Sequence, residues 1–192
     1  RYSSLTYRPD GVADILFAGI SQDAVKRDAA VGLQAEGVYT LNDSHTLRGG
    51  LIVQTDRSTS KTRAQVLALD AAGNQVSDVP LTISDKSARN AQTYSLFVQD
   101  EWKLTSDLTL NYGLRYDRLH AFRDEDQLSP RVNLVWEGAE GTTLHAGYAR
   151  YFTPPPFELV ASETVAAFQG TTAEAPGTLN DKPYSERTHY FD

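Results

Sequence analysis

The sequence predicts an all-β fold: an antiparallel, up-and-down transmembrane β-barrel, held here as an incomplete segment of about six full strands. Three observations predict it. Runs of alternating apolar and polar residues recur along the chain, which is the period of a strand with one dry and one wet face. The connections alternate between tight polar turns and long polar excursions. Aromatic residues of the apolar face gather at two levels, just before the short turns and toward the far ends of the strands.

Composition narrows the classes. Of 192 residues, 40% are hydrophobic, too many for a disordered chain. The net charge of −7 argues against a nucleic-acid surface, which needs a basic patch. No apolar run reaches the roughly 18–20 residues of a transmembrane helix, whereas a barrel hides its apolar residues by alternation. There is no cysteine, so neither a disulfide framework nor a thiolate metal site is available. There is no methionine either, even at position 1. The expectation is an excised piece or processed product, with any export signal upstream of Arg1.

Residues 1–27 read as the tail of one strand and a long connection, with a turn signal at Arg8-Pro9-Asp10-Gly11 and a short apolar run at Ile15-Leu16-Phe17. The first full strand spans roughly 28–41, with Val31, Leu33, Tyr39 and Leu41 on one face and Gln34 and Glu36 on the other. Asn42–His45 turns the chain into a second strand, 46–56, where Leu47, Leu51 and Val53 oppose Arg48 and Gln54. Residues 56–92 are polar and read as a long loop with a small hairpin-like insert around Asp70–Asn74.

Strand 92–104 sets Tyr94, Leu96, Val98, Trp102 and Leu104 against Ser95, Gln99, Glu101 and Lys103, with Phe97 the apolar exception. Strand 108–122 sets Leu108, Leu110, Tyr112, Leu114 and Tyr116 against Thr109, Asn111, Arg115 and Asp117. Both apolar sets are even-numbered, so opposed partners need an even sum. Leu104 opposite Leu108 meets this, and puts Trp102 opposite Leu110 and Glu101 opposite Asn111. A modest connection at Arg123–Gln127 leads to strand 129–137, with Val132, Leu134 and Trp136 against Arg131 and Asn133. Strand 142–152 follows, with Leu144, Ala146, Tyr148 and Phe152 apolar and Trp136 facing Leu144. Thr153-Pro154-Pro155-Pro156 ends it, because proline cannot donate to a ladder. Residues 153–185 form the second long loop, with a helical turn or two within Phe157–Phe168, and Ser185–Asp192 starts a further strand.

Adjacent strands run in opposite directions, so the short turns share one end and the long loops the other, the asymmetry of an outer-membrane barrel. Tyr39, Trp102 and Trp136 then mark one membrane interface, and Tyr94, Tyr116, Tyr148 and Phe152 the other. Gln34, Glu36, Arg48, Gln99, Glu101, Arg115, Asp117, Arg131 and Asn133 face a wet lumen. Asp100 falls on the lipid face, low on its strand, where a carboxylate is costly away from the interface. A soluble β-sheet ligand-binding module, with the same apolar face as its core, is the alternative reading. So is a porin or adhesin barrel.

Four segments resemble the barrel of TonB-dependent outer-membrane receptors: Phe97-Val98-Gln99-Asp100-Glu101-Trp102, Leu108–Asp117, Leu128-Ser129-Pro130-Arg131-Val132 and Gly147-Tyr148-Ala149-Arg150-Tyr151-Phe152. The resemblance covers about residues 28–192 and is strongest over 91–156. It implies a bacterial outer-membrane location, a barrel of about 22 strands and energised uptake of a scarce ligand. The ligand class (a siderophore-like chelate, cobalamin, a glycan or similar) stays open. It also implies three partners: the lipid bilayer, the receptor's own plug domain, and a TonB-type energy-coupling protein reached through the N-terminal region. Neither plug nor coupling motif occurs in residues 1–192, which read as part of a single barrel domain.

No catalytic site, metal site or cofactor is expected. His45, His120, His145 and His189 are scattered without ligand spacing and read as isolated turn and lumen histidines. Asp43-Ser44-His45 holds triad residue types, but neighbours in a tight turn cannot reach triad geometry. Asp124-Glu125-Asp126 could hold calcium and reads better as a solvated loop. Ligand capture is expected on the long loops 56–92 and 153–185.

Overall fold

The computed structural model describes residues 2–7, 21–139, 141–155, 165–177 and 182–192. Eight strands follow one another in sequence: β1 (Tyr2–Tyr7), β2 (Ser21–Thr40), β3 (His45–Val66), β4 (Leu81–Lys103), β5 (Leu108–His120), β6 (Asp124–Ala139), β7 (Thr142–Thr153) and β8 (Glu186–Phe191). They form one open sheet in the order β1 to β8, each strand bonded to its sequence neighbours. That is the up-and-down order expected, with β1 and β8 as edges and the sheet not closed.

The parity argument holds residue for residue. Trp102 pairs with Leu110 and Glu101 with Asn111. Trp136 pairs with Leu144 across the next hairpin. The Asn42 side chain closes the β2–β3 turn, its Oδ1 accepting from the Ser44 and His45 amides at 2.9 Å each.

Several boundaries differ from the expectation. β2 begins at Ser21, not near Asp28. The loop expected over 56–92 shrinks to residues 67–80, because β3 runs on to Val66 and β4 starts at Leu81. The reason lies in what alternates. Ser58, Ser60, Thr62, Ala64 and Val66 are buried, while Arg57, Lys61, Arg63 and Gln65 between them are exposed. The period is two, but it is written in size and charge more than in hydropathy. The modest connection at Arg123–Gln127 is also absent: β5 and β6 meet in a tight turn at 121–123, and His120 pairs with Asp124. The tight β5–β6 turn thus departs from the expected alternation of short turns with longer connections. The run at Ile15–Phe17 lies outside the described residues.

The chain divides into two compact units. One holds residues 1–30, 56–90 and 156–183. Here Phe168, from the 3-10 turn Val165–Phe168, packs with Ala64 and Val66, flanked by Ile83 and Ala173. Thr172 accepts from the Leu67 amide on its hydroxyl at 3.0 Å, and its own amide donates to the Leu67 carbonyl at 2.9 Å. The hairpin-like insert is a short turn in which Asp70 Oδ1 accepts from the Ala72 and Asn74 amides at 2.9 Å.

The other unit holds residues 31–55, 91–155 and 184–192. Its two faces carry the functional reading.

Candidate functional site

Directly paired residues of an antiparallel ladder share a face. The β4–β5–β6–β7 registers therefore put Ser95, Gln99, Glu101, Asn111, Arg115, Asp117, Gln127, Ser129, Arg131 and Asn133 on one face. Leu96, Val98, Leu110, Leu114, Leu128, Val132, Leu134 and Leu144 lie on the other. Burial runs opposite to that of a soluble domain. Apolar Leu96 and Leu128 are 61% and 53% exposed, whereas polar Asp117 and Gln127 are 5% and 4% exposed. An apolar face left open over a sheet this wide marks a surface that is covered in the assembled protein, by lipid or by another polypeptide.

That face has an upper border. Tyr94 pairs with Arg118, Arg118 with Asp126, and His120 with Asp124, so a charged band succeeds the Tyr94 and Tyr116 level. Tyr116 itself donates its hydroxyl to Asp126 Oδ2 at 3.3 Å. From Trp102 to Tyr94 is eight residues of β4. At about 3.4 Å per residue and a tilt of about 40° this spans roughly 20 Å of height, close to the roughly 25 Å apolar band of membrane barrels. Trp136 and Tyr39 precede short turns, and Tyr148 and Phe152 lie toward the opposite end of β7.

Asp100 is on the apolar face, as expected, yet its carboxylate is not left bare there. It is 6% exposed. Its Oδ2 lies 2.7 Å from His45 Nδ1 and accepts the Tyr112 hydroxyl at 3.0 Å. The His45 ring stacks on Trp102 with centroids 5.2 Å apart. A carboxylate enclosed by two donors and two rings escapes most of the penalty of a bare charge beside hydrocarbon. His45 thus has a specific partner, which corrects its reading as an isolated turn histidine. Its partner stands 55 residues away, so sequence spacing carried no signal.

On the polar face Arg115 Nε donates to both oxygens of Asp117 at 2.9 and 3.0 Å. Ser95 donates its hydroxyl to Asp117 Oδ1 at 2.5 Å and accepts from Arg115 at 2.9 Å. Arg48 reaches Glu101 at 3.6 Å. The residues expected to line the lumen are therefore only partly joined. Gln34 and Glu36 stand exposed on β2 without a polar partner among the described residues. Gln99, Asn111, Arg131 and Asn133 border a recess of about 330 Å³ that Tyr151 and Tyr190 also line.

Phe97, the apolar exception, lies over Gly50. A Cβ there would sit 2.8 Å from the Phe97 ring and 2.7 Å from the Ala35 carbonyl oxygen, so only glycine gives the ring this seat.

The acidic triplet opens β6 and is not a loop; Asp124 and Asp126 are solvated as expected, but Glu125 is not. Asp124 meets His120 at 3.1 Å, and Glu125 is buried, accepting from the Ser185 amide and hydroxyl at 2.9 Å and facing Arg187 at 3.4 Å. Arg123 stacks on Tyr184 at 3.7 Å. The return of the long loop into β8 is thus fastened to the start of β6. The contact of Glu125 with Ser185 and Arg187 carried no signal in the sequence, because it joins residues about 60 positions apart. No group of three metal-ligating side chains occurs among the described residues. Outside the strands, the bond from the Asn74 amide, foremost among several, holds the Asp70 carboxyl below the usual carboxylate range.

The chain resembles the siderophore receptor PiuA from Acinetobacter baumannii in fold, with a TM-score of 0.52 at 14% sequence identity. The likeness covers 99% of this chain but 33% of that one, so residues 1–192 span about a third of the solved receptor's length. No curated protein sequence matches the chain. The sequence pattern described as "TonB dependent receptor-like, beta-barrel" matches residues 1–185. With its sequential antiparallel strands and opened apolar face, the chain belongs to the TonB-dependent receptor-like β-barrel family.

Proposed function

We propose that residues 1–192 are a wall segment of the single β-barrel domain of an outer-membrane receptor that takes up a scarce ligand actively. The observation that carries this is the inverted burial of its two faces, apolar outward and polar inward, in a chain of this family. The apolar face meets lipid between two aromatic levels, Tyr39, Trp102 and Trp136 at one interface and Tyr94, Tyr116, Tyr148 and Phe152 at the other. The polar face, from Gln34 and Glu36 through Arg115 and Asp117 to Arg131 and Asn133, lines the lumen and faces a plug domain. Energy comes from a TonB-type coupling protein engaging the remainder of the receptor. The segment performs no catalysis. Its Arg115–Asp117–Ser95 network is already internally satisfied, as a structural wall requires.

The ligand belongs to a class too large or too dilute for passive pores, with an iron chelate the first candidate because the solved relative in fold is a siderophore receptor. The test is uptake by cells carrying the intact receptor, offered labelled iron(III) chelates, cobalamin and oligosaccharides, before and after the membrane proton gradient is collapsed. The proposal expects accumulation of one class that stops with the gradient. Equal entry after collapse would instead mark a passive porin.

A further inference from the structure

The outward face of β7 and β8 carries an unbalanced charge. Tyr148 pairs with Phe191, Arg150 with His189, and Phe152 with Arg187. Tyr148 also pairs with Val132 of β6, which places all six on the apolar face. None of the six is acidic. Glu186 lies opposite Thr153, on the other face. The outward carboxylates of β6 are engaged, Asp124 by His120 and Asp126 by Tyr116. Arg187 turns its charge to buried Glu125 at 3.4 Å. Arg150 has no such outlet. It makes no hydrogen bond or ion pair among the described residues, and its Nε is shut off from solvent.

His189 supplies a second donor at the same level. Its Nδ1 lies 2.9 Å from the Tyr148 hydroxyl. When that hydroxyl donates to Nδ1, the ring proton sits on Nε2 and is available to a ligand. Arg150 lies between Tyr148 and Phe152, near the end of β7 that leads into the long loop. A guanidinium on a lipid-facing surface must reach the headgroup layer or find an anion, and the anion abundant at that depth is lipid phosphate.

We propose that Arg150 and His189 form a binding site for the phosphate group of a lipid in the leaflet on the long-loop side. Tyr148 and Phe152 lie against the first methylenes of its acyl chains. The planar guanidinium suits two phosphate oxygens at once, and the imidazole Nε2–H suits the third. The inference rests on the reading that the apolar face meets lipid.

Native mass spectrometry of the intact receptor, titrated with diphosphoryl lipid A and with its dephosphorylated counterpart, tests the site. Wild type is expected to retain the phosphorylated lipid, and Arg150→Ala to lose about ten-fold or more of that retention, the scale of a charge-assisted hydrogen bond. Arg150→Lys should restore part of it, and His189→Ala should show a smaller loss. Equal retention by wild type and Arg150→Ala, or equal retention of the dephosphorylated lipid, would overturn the proposal. If Arg150→Ala fails to insert, His189→Ala decides by the same comparison. Alkaline extraction of membranes separates the two readings. Release of the wild-type receptor would overturn the membrane assignment itself, whereas an inserted variant with unchanged lipid retention would overturn only the phosphate site.

Discussion

Replacing His45 by alanine is the sharpest probe of how the wall tolerates a carboxylate on its apolar face. The substitution removes a 2.7 Å contact to Asp100 and the ring stacked on Trp102. Asp100 would keep only the Tyr112 hydroxyl on Oδ2, with its other oxygen buried and unpartnered. Breaking one partner of a fully buried pair costs about 3–5 kcal/mol. Here the His45 side chain is 27% exposed and Tyr112 stays in place, so the expectation is about 2–3 kcal/mol. Asp100→Ala should cost a similar amount, and the double variant should be close to either single one, a coupling of about 2 kcal/mol. Tyr112→Phe, which deletes one bond to a carboxylate, should cost about 1–2 kcal/mol. The assay is urea unfolding of the intact receptor in micelles, followed by tryptophan fluorescence, with the three variants and the double variant compared. Additive effects, with coupling below about 0.5 kcal/mol, would refute the argument that these residues act as one unit.

Other outcomes follow from the same faces. Leu114→Arg, on the apolar face of β5, should destabilise the inserted receptor by about 2–4 kcal/mol, while Asn111→Arg on the polar face should change stability little; similar costs at both sites would contradict the assignment of faces. Gly50→Ala should cost about 1–3 kcal/mol by forcing aside the Phe97 ring and the Ala35 carbonyl, and Phe97→Ala should recover only the part due to the ring, read from the same unfolding curves. The Asp70 turn should respond to acid with a definite sign. Its folded carboxyl titrates below the usual range, so its contribution is fully present above that range and is lost as pH falls through the lowered value. Hydrogen-exchange protection at the Ala72 and Asn74 amides, taken relative to the intrinsic rate at each pH, should therefore fall only in acid, and Asp70→Asn should abolish that dependence.

Much of the wall was legible in the residues themselves. Trp102 opposite Leu110 and Trp136 opposite Leu144 follow from parity alone, because a one-residue slip would turn every apolar side chain to the wrong face. The strand extensions over 56–66 and 81–91 were not legible. There Ser58, Ser60 and Thr62 hide small polar side chains between exposed Arg57, Lys61 and Arg63, a pattern that hydropathy reads as loop although the backbone ladder is indifferent to it. The polar contacts were harder still. Asp100 and His45 meet only because the neighbouring strands β3 and β4 lie in register, and Glu125 and Ser185 meet across β7, so no local spacing announces either contact. The neighbours of Arg150 follow only from the β7–β8 register, which pairs it with His189 about 40 residues away.

The account stands or falls on which face of β5 meets lipid. Residues 1–192 contain no cysteine, so once any cysteine elsewhere in the intact receptor is replaced, single cysteines can be placed one at a time from Leu108 to His120 and spin-labelled in bilayers. Collision with lipid-soluble oxygen and with a water-soluble nickel chelate should then alternate with period two. Positions 108, 110, 112, 114 and 116 should favour oxygen, and 109, 111, 113, 115 and 117 should favour the chelate. An absent or reversed alternation would contradict the account.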